Sequence, residues 1–323
     1  MSAPIVLTCG DPAGIGPEIA VAARKALAHE VPFCWIGDPG HLPKDCTFVE
    51  VGDLDQVGSV PAGQLPVLAH PFPAPALPGQ PDPRNAAEVL AVIARAVALS
   101  MSGAAAAICT APINKKVLKD GAGFAFPGHT EYLAHLAGGC EVVMMLACPD
   151  LRVVPVTIHI SLADVPGALT AELLERAIRI THAGLIRDFG IAAPRLMVAG
   201  LNPHAGEGGV MGRQEIEMIA PLVVRLAAEG MAIAGPASAD TMFHPAARAQ
   251  YDAAICMYHD QALIPIKTVD FAGGVNVTLG LPFVRTSPDH GTAYDIAGRG
   301  MADPTSLVAA LRMAQDMARA RRE

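Results

Sequence analysis

The chain has 323 residues, 52% of them hydrophobic, which is enough to build a sizeable core and favours two lobes over one. Its formal charge is −8, from 23 basic and 31 acidic residues, and basic residues cluster only in the tail at 319–322, which argues against nucleic acid as a partner. Its seven cysteines form no CxxC pair, so we expect buried thiols in a reducing compartment and no disulfide framework.

The N-terminal segment has no basic region followed by a long apolar run, so we expect no signal peptide. The longest apolar region, from 89 to 112, is interrupted by Arg95 and Gly103 and is interpreted as a helix followed by a strand, not as a membrane span. We therefore expect a soluble, cytoplasmic protein with no membrane partner.

In the first half of the chain, short apolar runs alternate with helical patterns. Pro17 suits the first position of a helix, and Asn85 with Glu88 has the spacing of a capping box at the start of another. Prolines and alanines without a period from 58 to 84 predict an irregular surface connection. Strands are predicted at 5–8, 33–36 and 104–110.

The turn at 10–16 reads GDPAGIG and follows the first predicted strand. Its pattern is GxxxGxG and not GxGxxG, and it has no Walker lysine, so it matches neither nucleotide-binding fingerprint. By pattern alone it is a tight strand-to-helix turn, and no dinucleotide is inferred from it.

The second half continues the alternation of strands and helices. A helix at 170–188 carries an apolar stripe, and Asp303 and Pro304 cap and open a helix that runs to the end of the chain. Further elements are a helix at 215–229 and strands at 153–159 and 195–199. This repeated alternation predicts an α/β fold with a largely parallel sheet.

Three histidines follow predicted strands: His159, His204 and His259. Because the carboxyl ends of parallel strands face one crevice, these imidazoles are candidates for a three-histidine site that binds Zn²⁺ or another divalent ion. A histidine after a strand is also commonly a hydrogen-bonded structural residue, and the long spacing leaves both interpretations open.

The segment 258–291 concentrates polar chemistry between glycines and prolines, which predicts a frequently turning chain that forms the wall of an active site. Upstream, the motif PGHTEY at 127–132 predicts a helix start, where an anion is favoured. Lys267 and Arg285 would supply cations for a phosphate or carboxylate. The structural alternatives are that Thr130 only caps the helix and that both cations are exposed surface charges.

Six stretches resemble the 4-hydroxythreonine-4-phosphate dehydrogenase family of pyridoxal phosphate biosynthesis, and together they extend over nearly the whole chain. They are GDPAGIGPE at 10–18, TAPINK at 110–115, PGHTEYL at 127–133, LNPHAGEGG at 201–209, ADTMF at 239–243, and the long motif from YHDQ to YDIAG at 258–298.

This resemblance implies a two-lobed α/β subunit similar to isocitrate and isopropylmalate dehydrogenases, working as a homodimer. One lobe would hold about 1–130 with 290–323, and 131–289 would form the metal- and dimer-forming lobe. The implied reaction is oxidation of 4-phosphohydroxy-L-threonine by NAD or NADP at its C3 alcohol, followed by loss of CO₂ to give 3-amino-2-oxopropyl phosphate.

The resemblance also implies roles for individual residues. His159, His204 and His259 would bind the divalent ion, Zn²⁺, Mg²⁺ or Co²⁺, with one ligand supplied across the dimer interface. The substrate-binding positions are His129, Thr130, Lys267, Asn276 and Arg285. The nucleotide-binding positions are Asp240, Thr241, Phe243, Asp289 and His290. The base that accepts the alcohol proton stays open among Lys267, Asp260 and a metal-bound water.

One position departs from the family pattern, because Ala262 stands where a glycine usually follows His-Asp-Gln, and its methyl group is expected to shift the loop. Relatives of this family oxidise other acids, namely phosphorylated threonate or erythronate and a dihydrodiol of terephthalate. Two other classes are kept as alternatives: a metal hydrolase that uses no nucleotide, and a binding protein without catalytic activity.

Overall fold

The computed structural model describes residues 3–322, so the first two residues of the expected first lobe and residue 323 of the expected last helix lie outside the described residues. The strands are β1 (Ile5–Thr8), β2 (Phe33–Gly37), β3 (Phe48–Glu50), β4 (Leu65–Ala69), β5 (Ala107–Thr110), β6 (Val143–Cys148), β7 (Leu151–Thr157), β8 (Arg195–Ala199), β9 (Ala232–Ala237), β10 (Ala253–Tyr258), β11 (Val275–Leu279) and β12 (Arg285–Pro288). The α-helices are α1 (Gly16–Leu27), α2 (Ala86–Met101), α3 (Lys115–Ala122), α4 (His129–Leu136), α5 (Val165–Ala168), α6 (Ala171–Phe189), α7 (Ala220–Ala228), α8 (Ala239–Met242), α9 (Pro245–Arg248), α10 (His259–Val269) and α11 (Thr305–Ala320).

The first compact unit comprises the described residues through Glu141 together with Leu281–Arg322. Its strands are all parallel, in the order β3-β4-β2-β1-β5-β12. Helices α2 and α11 both pack on β1 and β5, and α1 packs on α11. Because helices cover these strands, β1, β2 and β5 are buried at every position, as is usual for a parallel sheet.

The second unit is Val142–Gly280, with the strand order β11-β6-β7-β10-β8-β9. Strand β6 is antiparallel to both of its neighbours, and the remaining pairs are parallel. The two units divide the chain after Glu141 and before Leu281, so α4 and β12 belong to the first unit. The predicted α/β class with a largely parallel sheet is confirmed.

Two elements were predicted correctly from their patterns. In α6, the predicted apolar stripe is buried, and Thr170 caps the helix by accepting a hydrogen bond from the Leu173 amide at 3.2 Å. At the last helix, the Asp303 carboxylate accepts the predicted hydrogen bond, from the Thr305 amide at 2.9 Å, although the helix begins at Thr305, one residue after Pro304. A side-chain acceptor at a helix start satisfies an amide that has no partner within the helix.

The irregular connection predicted from 58 to 84 is wrong at Leu65–Ala69, because β4 lies there and pairs with β2 and β3. Pro66 interrupts the apolar pattern of this strand, since proline is normally confined to edges, strand starts and bulges. The capping box is also wrong. The Asn85 side chain accepts a hydrogen bond from the Ala74 amide at 3.1 Å, and Glu88 contacts His70 Nε2 at 2.8 Å.

The segment 258–291 is more regular than its glycines and prolines predicted. It contains α10, which holds Pro265 within it, and then β11 and β12. Ala262 lies on the buried face of α10 and is fully enclosed in the core that this helix forms on β7 and β10. The expectation that its methyl group shifts a loop is therefore wrong, since alanine is favoured over glycine inside a helix.

Candidate functional site

The three candidate metal ligands follow three neighbouring parallel strands of the second unit, β7, β10 and β8. His259 comes directly after the last residue of β10, His159 follows the end of β7, and His204 follows the end of β8. Tyr258 is in register with Thr157 of the neighbouring strand, so both strands end at the same level. The histidines therefore share the carboxyl edge of one sheet, where open α/β sheets bind ligands.

His159 and His259 lie side by side at this edge, with ring centroids 5.9 Å apart and an angle of 41° between the rings. Both line a cavity of about 240 Å³. His259 Nδ1 donates to Asp260 Oδ1 at 2.7 Å, an arrangement that leaves Nε2 available as a ligand atom. His159, just after the end of β7, has a positive φ of 55°, which is uncommon outside glycine.

Buried hydrogen bonds fix the ends of these strands relative to each other. Thr157 Oγ1 donates to the Met257 carbonyl at 2.8 Å, which joins β7 to β10. The Gln261 side chain accepts from the Met257 amide at 2.6 Å and donates from Nε2 to the Gly200 carbonyl at 2.8 Å. The turns that carry the three histidines are thereby connected through side chains that the sequence analysis did not select.

His204 lies in a turn in which residues 204–208 all have positive φ, between 43° and 83°. Such a run is costly for residues other than glycine, so the surrounding structure must hold it. The buried Glu215 carboxylate does so by accepting from the Asn202 amide at 2.8 Å and from its side-chain Nδ2 at 2.9 Å. Gly206 is required here because a Cβ would lie 2.7 Å from the Glu215 carboxylate.

Within residues 3–322, no group of three or more His, Cys, Asp and Glu side chains is arranged to hold a metal ion. The structure brings His159 and His259 together, and His204 does not complete a three-ligand group with them. The two adjacent imidazoles, one of them oriented by a carboxylate, fit the donor chemistry of a divalent ion.

In the first unit, Arg285 begins β12 and is 3% exposed. Its Nη2 donates to Thr110 Oγ1 at the end of β5, at 2.8 Å. Burial lowers the pKa of Arg285 to about 10, so the guanidinium remains charged at neutral pH. The alternative that Arg285 is an exposed surface charge is therefore wrong.

His129 and Thr130 begin α4 in the same unit, and Gly128 is the residue that precedes the helix. The Thr130 side chain does not cap this helix, so that alternative is wrong. Among residues 3–322, the enclosed His129 Nε2 has no hydrogen-bond partner. Burial, and then the charges of Arg285 and Lys115, hold the pKa of His129 well below its usual range, so its imidazole is neutral.

The other two substrate-binding candidates belong to the second unit. Lys267 lies in α10, with Nζ 5.2 Å from the centroid of the Phe271 ring. Asn276 lies in β11, opposite Leu146 of β6. The candidates for substrate binding are thus divided between the two units, with His129, Thr130 and Arg285 in the first.

The nucleotide-binding candidates are divided in the same way. Asp240 and Thr241 lie in α8, where the pKa of Asp240 is lowered by a hydrogen bond from Ser238 and, more weakly, by His204. In the first unit, the Asp289 amide donates to Ser306 Oγ at 3.2 Å. His290 Nε2 is enclosed and has no hydrogen-bond partner within the described residues.

Phe243, the remaining candidate, packs against the core that contains Met242 and Tyr251. This contact gives it a structural role in holding α8 on the sheet. Burial of apolar surface by its ring stabilises the fold whether or not a nucleotide binds nearby.

Comparison with known proteins identifies the family. The family model described as pyridoxal phosphate biosynthetic protein PdxA matches residues 18–314. The chain belongs to the PdxA family. Relatives of this family are similar to the chain over almost its whole length.

A 4-hydroxythreonine-4-phosphate dehydrogenase from Paracoccus denitrificans is 67% identical over 98% of both chains. The crystal structure of a 4-hydroxythreonine-4-phosphate dehydrogenase from Klebsiella pneumoniae has a TM-score of 0.90 and 38% identity, covering 98% of this chain and 100% of the other. A terephthalate 1,2-cis-dihydrodiol dehydrogenase from Burkholderia xenovorans is more distant, with a TM-score of 0.68 and 29% identity over 98% of both chains.

Among the described residues, no helix combines the length and the apolar character that crossing a membrane requires.

The residues that sequence reasoning missed are Gln261, Glu215 and Lys115. Each lies within or just after a motif that was noticed for other residues. Their own signal was weak, because an isolated glutamine, glutamate or lysine is most often a solvated surface residue.

Proposed function

We propose that this chain is a 4-hydroxythreonine-4-phosphate dehydrogenase that uses NAD or NADP to oxidise the C3 alcohol of 4-phosphohydroxy-L-threonine. The resulting β-keto acid then loses CO₂ to give 3-amino-2-oxopropyl phosphate, a step of pyridoxal 5′-phosphate biosynthesis. The observation that carries the proposal is the buried Arg285 beside the neutral His129, in a chain 67% identical to a protein of that name.

The metal site of this proposal consists of His159, His259 and His204, the last supplied by the partner in a homodimer. The first two ligands are supported by their adjacent imidazoles and by the Asp260 carboxylate that is hydrogen-bonded to His259. A bound divalent ion, Zn²⁺, Mg²⁺ or Co²⁺, lowers the pKa of a coordinated hydroxyl and stabilises negative charge on oxygen. His204 is exposed, on a turn that Glu215 holds in place, as a ligand for a second subunit requires.

The homodimer is supported by apolar side chains that are exposed near these histidines. Exposed apolar groups close to polar ligands are typical of a surface that another subunit covers. The exposed fractions are 44% for Ile160, 68% for Leu162, 83% for Val210, 47% for Met211 and 46% for Ile216.

Lys267 is the side chain that we assign to proton transfer from the substrate alcohol. Of the other two candidates, a metal-bound water and Asp260, the Asp260 carboxylate is 69% exposed and hydrogen-bonded to His259, which suits orientation of the ligand. Asn276, Thr130 and Arg285 bind and orient the substrate, and orientation provides a large part of such a rate enhancement.

The nucleotide is assigned to the turn at Asp289 and His290, with Asp240, Thr241 and Phe243 as further candidates. The enclosed His290 Nε2 supports this assignment. Within residues 3–322, and apart from the two chain neighbours of Gly291, no atom lies within 4 Å of the point that a Cβ on Gly291 would occupy, so a ligand can approach its backbone closely. The nicotinamide supplies the oxidising equivalent when bound.

All seven cysteines are free thiols, which supports a reducing, cytoplasmic location.

The test is reduction of NAD⁺ or NADP⁺ by the metal-depleted protein, restored in turn with Zn²⁺, Mg²⁺ or Co²⁺. The substrates compared are 4-phosphohydroxy-L-threonine, 4-phosphoerythronate and the dihydrodiol of terephthalate, the last because of the relative with 29% identity. We expect metal-dependent turnover of the first, its loss in His204→Ala, and no loss in the exposed control His29→Ala.

Turnover of another substrate alone would move the chain to that pathway and contradict the proposal. No nucleotide reduction with any substrate, together with metal-dependent hydrolysis, would identify the chain as a hydrolase instead. Full activity in His204→Ala would contradict the metal assignment.

A further inference from the structure

The segment from 289 to 304 connects β12 to α11 and forms neither a strand nor a helix. It begins with the turn from Asp289 to Gly291, to which the nucleotide is assigned above. Connections of this length without secondary structure are uncommon in compact domains and are usually functional. Because the segment has no ladder or helical hydrogen bonds of its own, bonds to other parts of the chain decide where the turn lies.

The segment is hydrogen-bonded to the glycine-rich turn at 10–16 and to the start of α1. The Ile15 amide donates to the Thr292 carbonyl at 3.0 Å. The Gly298 amide donates to Glu18 Oε2 at 3.1 Å. The glycine-rich turn, which by pattern only links a strand to a helix, therefore also supports the segment that follows β12.

Tyr294 adds a side-chain bond between the same two parts of the chain. Its hydroxyl donates to Oδ2 of the buried Asp11 at 2.6 Å, and the Ala13 amide donates to Oδ1 at 3.0 Å. Burial raises the pKa of Asp11, and the two hydrogen bonds oppose this shift. Burial, and then the bond to Asp11, raise the pKa of Tyr294, so its hydroxyl remains a donor at neutral pH.

The amides of the glycine-rich turn are used within the protein. Glycine-rich loops bind phosphate through backbone amides that are free to point at the ligand. Here four amides already donate to protein acceptors, namely those of Asp11, Ala13, Gly14 and Ile15. Gly14 also lets the segment approach, because a Cβ there would lie 2.8 Å from the Thr292 carbonyl oxygen. The turn therefore supports the protein's own chain and does not cradle a phosphate.

We propose that Tyr294 and Asp11 are positioning residues for the nucleotide. Their hydrogen bond fixes the chain three residues beyond Gly291, and so holds the turn that begins at Asp289 in the conformation that binds NAD or NADP. Neither side chain has to touch the nucleotide for this role. The inference rests on the proposed function for the identity of the cofactor, whereas the bond and its surroundings lie wholly within the first unit.

The experiment compares Tyr294→Phe, which removes only the hydroxyl, with the matched control Tyr132→Phe in the same unit. The Tyr132 hydroxyl makes a 3.4 Å bond to the Leu90 carbonyl. Calorimetric titration of the full-length protein with NAD⁺ and with NADP⁺ measures the nucleotide affinity, and steady-state kinetics measures KM and kcat.

We expect Tyr294→Phe to weaken binding of the preferred nucleotide and to raise its KM about tenfold, because a buried hydrogen bond to a carboxylate is lost. In the same variant, kcat and KM for 4-phosphohydroxy-L-threonine should change less than about twofold, since only nucleotide binding is affected. Tyr132→Phe should change none of these quantities by more than about twofold.

Two further readouts separate positioning from a general loss of stability. Asp11→Asn keeps an acceptor for the Ala13 amide, so adding it to Tyr294→Phe should weaken nucleotide binding by less than about a further twofold. Amide hydrogen exchange from 289 to 294 should become faster in Tyr294→Phe, and this readout does not depend on activity.

Unchanged nucleotide affinity in Tyr294→Phe, equal losses in both tyrosine variants, or multiplied losses in the double variant with Asp11→Asn would overturn the inference. The same holds if the wild-type protein binds neither nucleotide at millimolar concentration. Nucleotide binding that depends on Tyr294, in a protein that oxidises none of the substrates, would support the positioning role and contradict only the proposed reaction. Turnover with an unchanged nucleotide KM in Tyr294→Phe would contradict only the positioning role.

Discussion

Gln261 Nε2 donates to the carbonyl of Gly200 at 2.8 Å, across 61 positions of the sequence. This bond joins the start of α10 to the end of β8, and the same side chain accepts from the Met257 amide at 2.6 Å. One glutamine thus connects the turn of His259 to the turn that leads to His204. The relative position of two candidate metal ligands therefore depends on Gln261, which is not itself a candidate ligand.

We predict that Gln261→Ala destabilises the protein by roughly 2–4 kcal/mol, because the Met257 amide and the Gly200 carbonyl both lose a buried partner. Urea unfolding measures this loss. The exposed control Gln250→Ala should stay within about 0.5 kcal/mol of wild type. Equal unfolding midpoints for the two variants would show that the glutamine does not hold the strand ends together.

The left-handed turn at 204–208 should depend on Glu215 in the same way. Glu215→Ala removes the acceptor for the Asn202 amide and side chain, and we expect a loss of roughly 3 kcal/mol together with faster amide hydrogen exchange from 202 to 208. The control is Glu217→Ala, whose carboxylate is 60% exposed and pairs with Arg213 at the surface. If exchange in the turn were unchanged in Glu215→Ala, the conformation of His204 would not rest on this carboxylate.

His129 predicts a pH dependence of stability. Burial, Arg285 and Lys115 place its pKa in the folded state well below the usual 6.5. Below pH 6.5 the unfolded chain binds a proton that the folded chain does not, so stability falls as the pH is lowered, by at most about 1.4 kcal/mol per pH unit. Above that pH the contribution is constant.

The measurement is the urea midpoint between pH 5 and pH 8. His129→Asn should reduce the acid-side decline, whereas the exposed control His135→Asn should follow the wild-type curve. Burial also lowers the pKa of His182, so a residual slope is expected in every variant. Parallel curves for wild type and His129→Asn would contradict the depressed pKa.

The local sequence pattern was sufficient to predict a helix or strand where that element has a complete apolar stripe or an unbroken apolar run. Helix α6 and strand β8 were found because their own residues determine which face is buried. Strand β4 was missed because Pro66 breaks its pattern, although parallel neighbours on both sides hold it in the sheet. The capping role predicted for Asn85 was wrong because its side chain accepts a hydrogen bond from the Ala74 amide. Ala74 lies eleven residues earlier, outside the four residues from which a capping box is recognised.

Prediction of the candidate site from the sequence is limited in the same way, by contacts between residues that are distant in the chain. That three histidines follow strands is visible in the sequence, but that β7, β10 and β8 are neighbours depends on strand order, which single-sequence patterns do not contain. That Lys115 lies beside Gly128 and the start of α4 is likewise not revealed by the sequence. Contacts between distant positions therefore decided most of what was missed.

Asp260 provides a test between orientation and proton transfer. Its carboxylate accepts the hydrogen bond from His259 Nδ1 at 2.7 Å, and such partners of a ligating histidine commonly contribute about 10- to 100-fold to metal affinity. We predict that Asp260→Asn weakens Zn²⁺ binding by that amount and leaves the unfolding midpoint unchanged, because the carboxylate is 69% exposed.

The two roles differ when metal is in excess. If Asp260 only orients His259, saturating Zn²⁺ should restore nearly full turnover in Asp260→Asn, since the ligand is then held by the ion itself. If Asp260 takes the proton of the substrate alcohol, turnover should stay at least about 100-fold below wild type at any metal concentration. Lys267→Met is the matched comparison, for which we expect that persistent loss, because Lys267 is the side chain assigned to proton transfer.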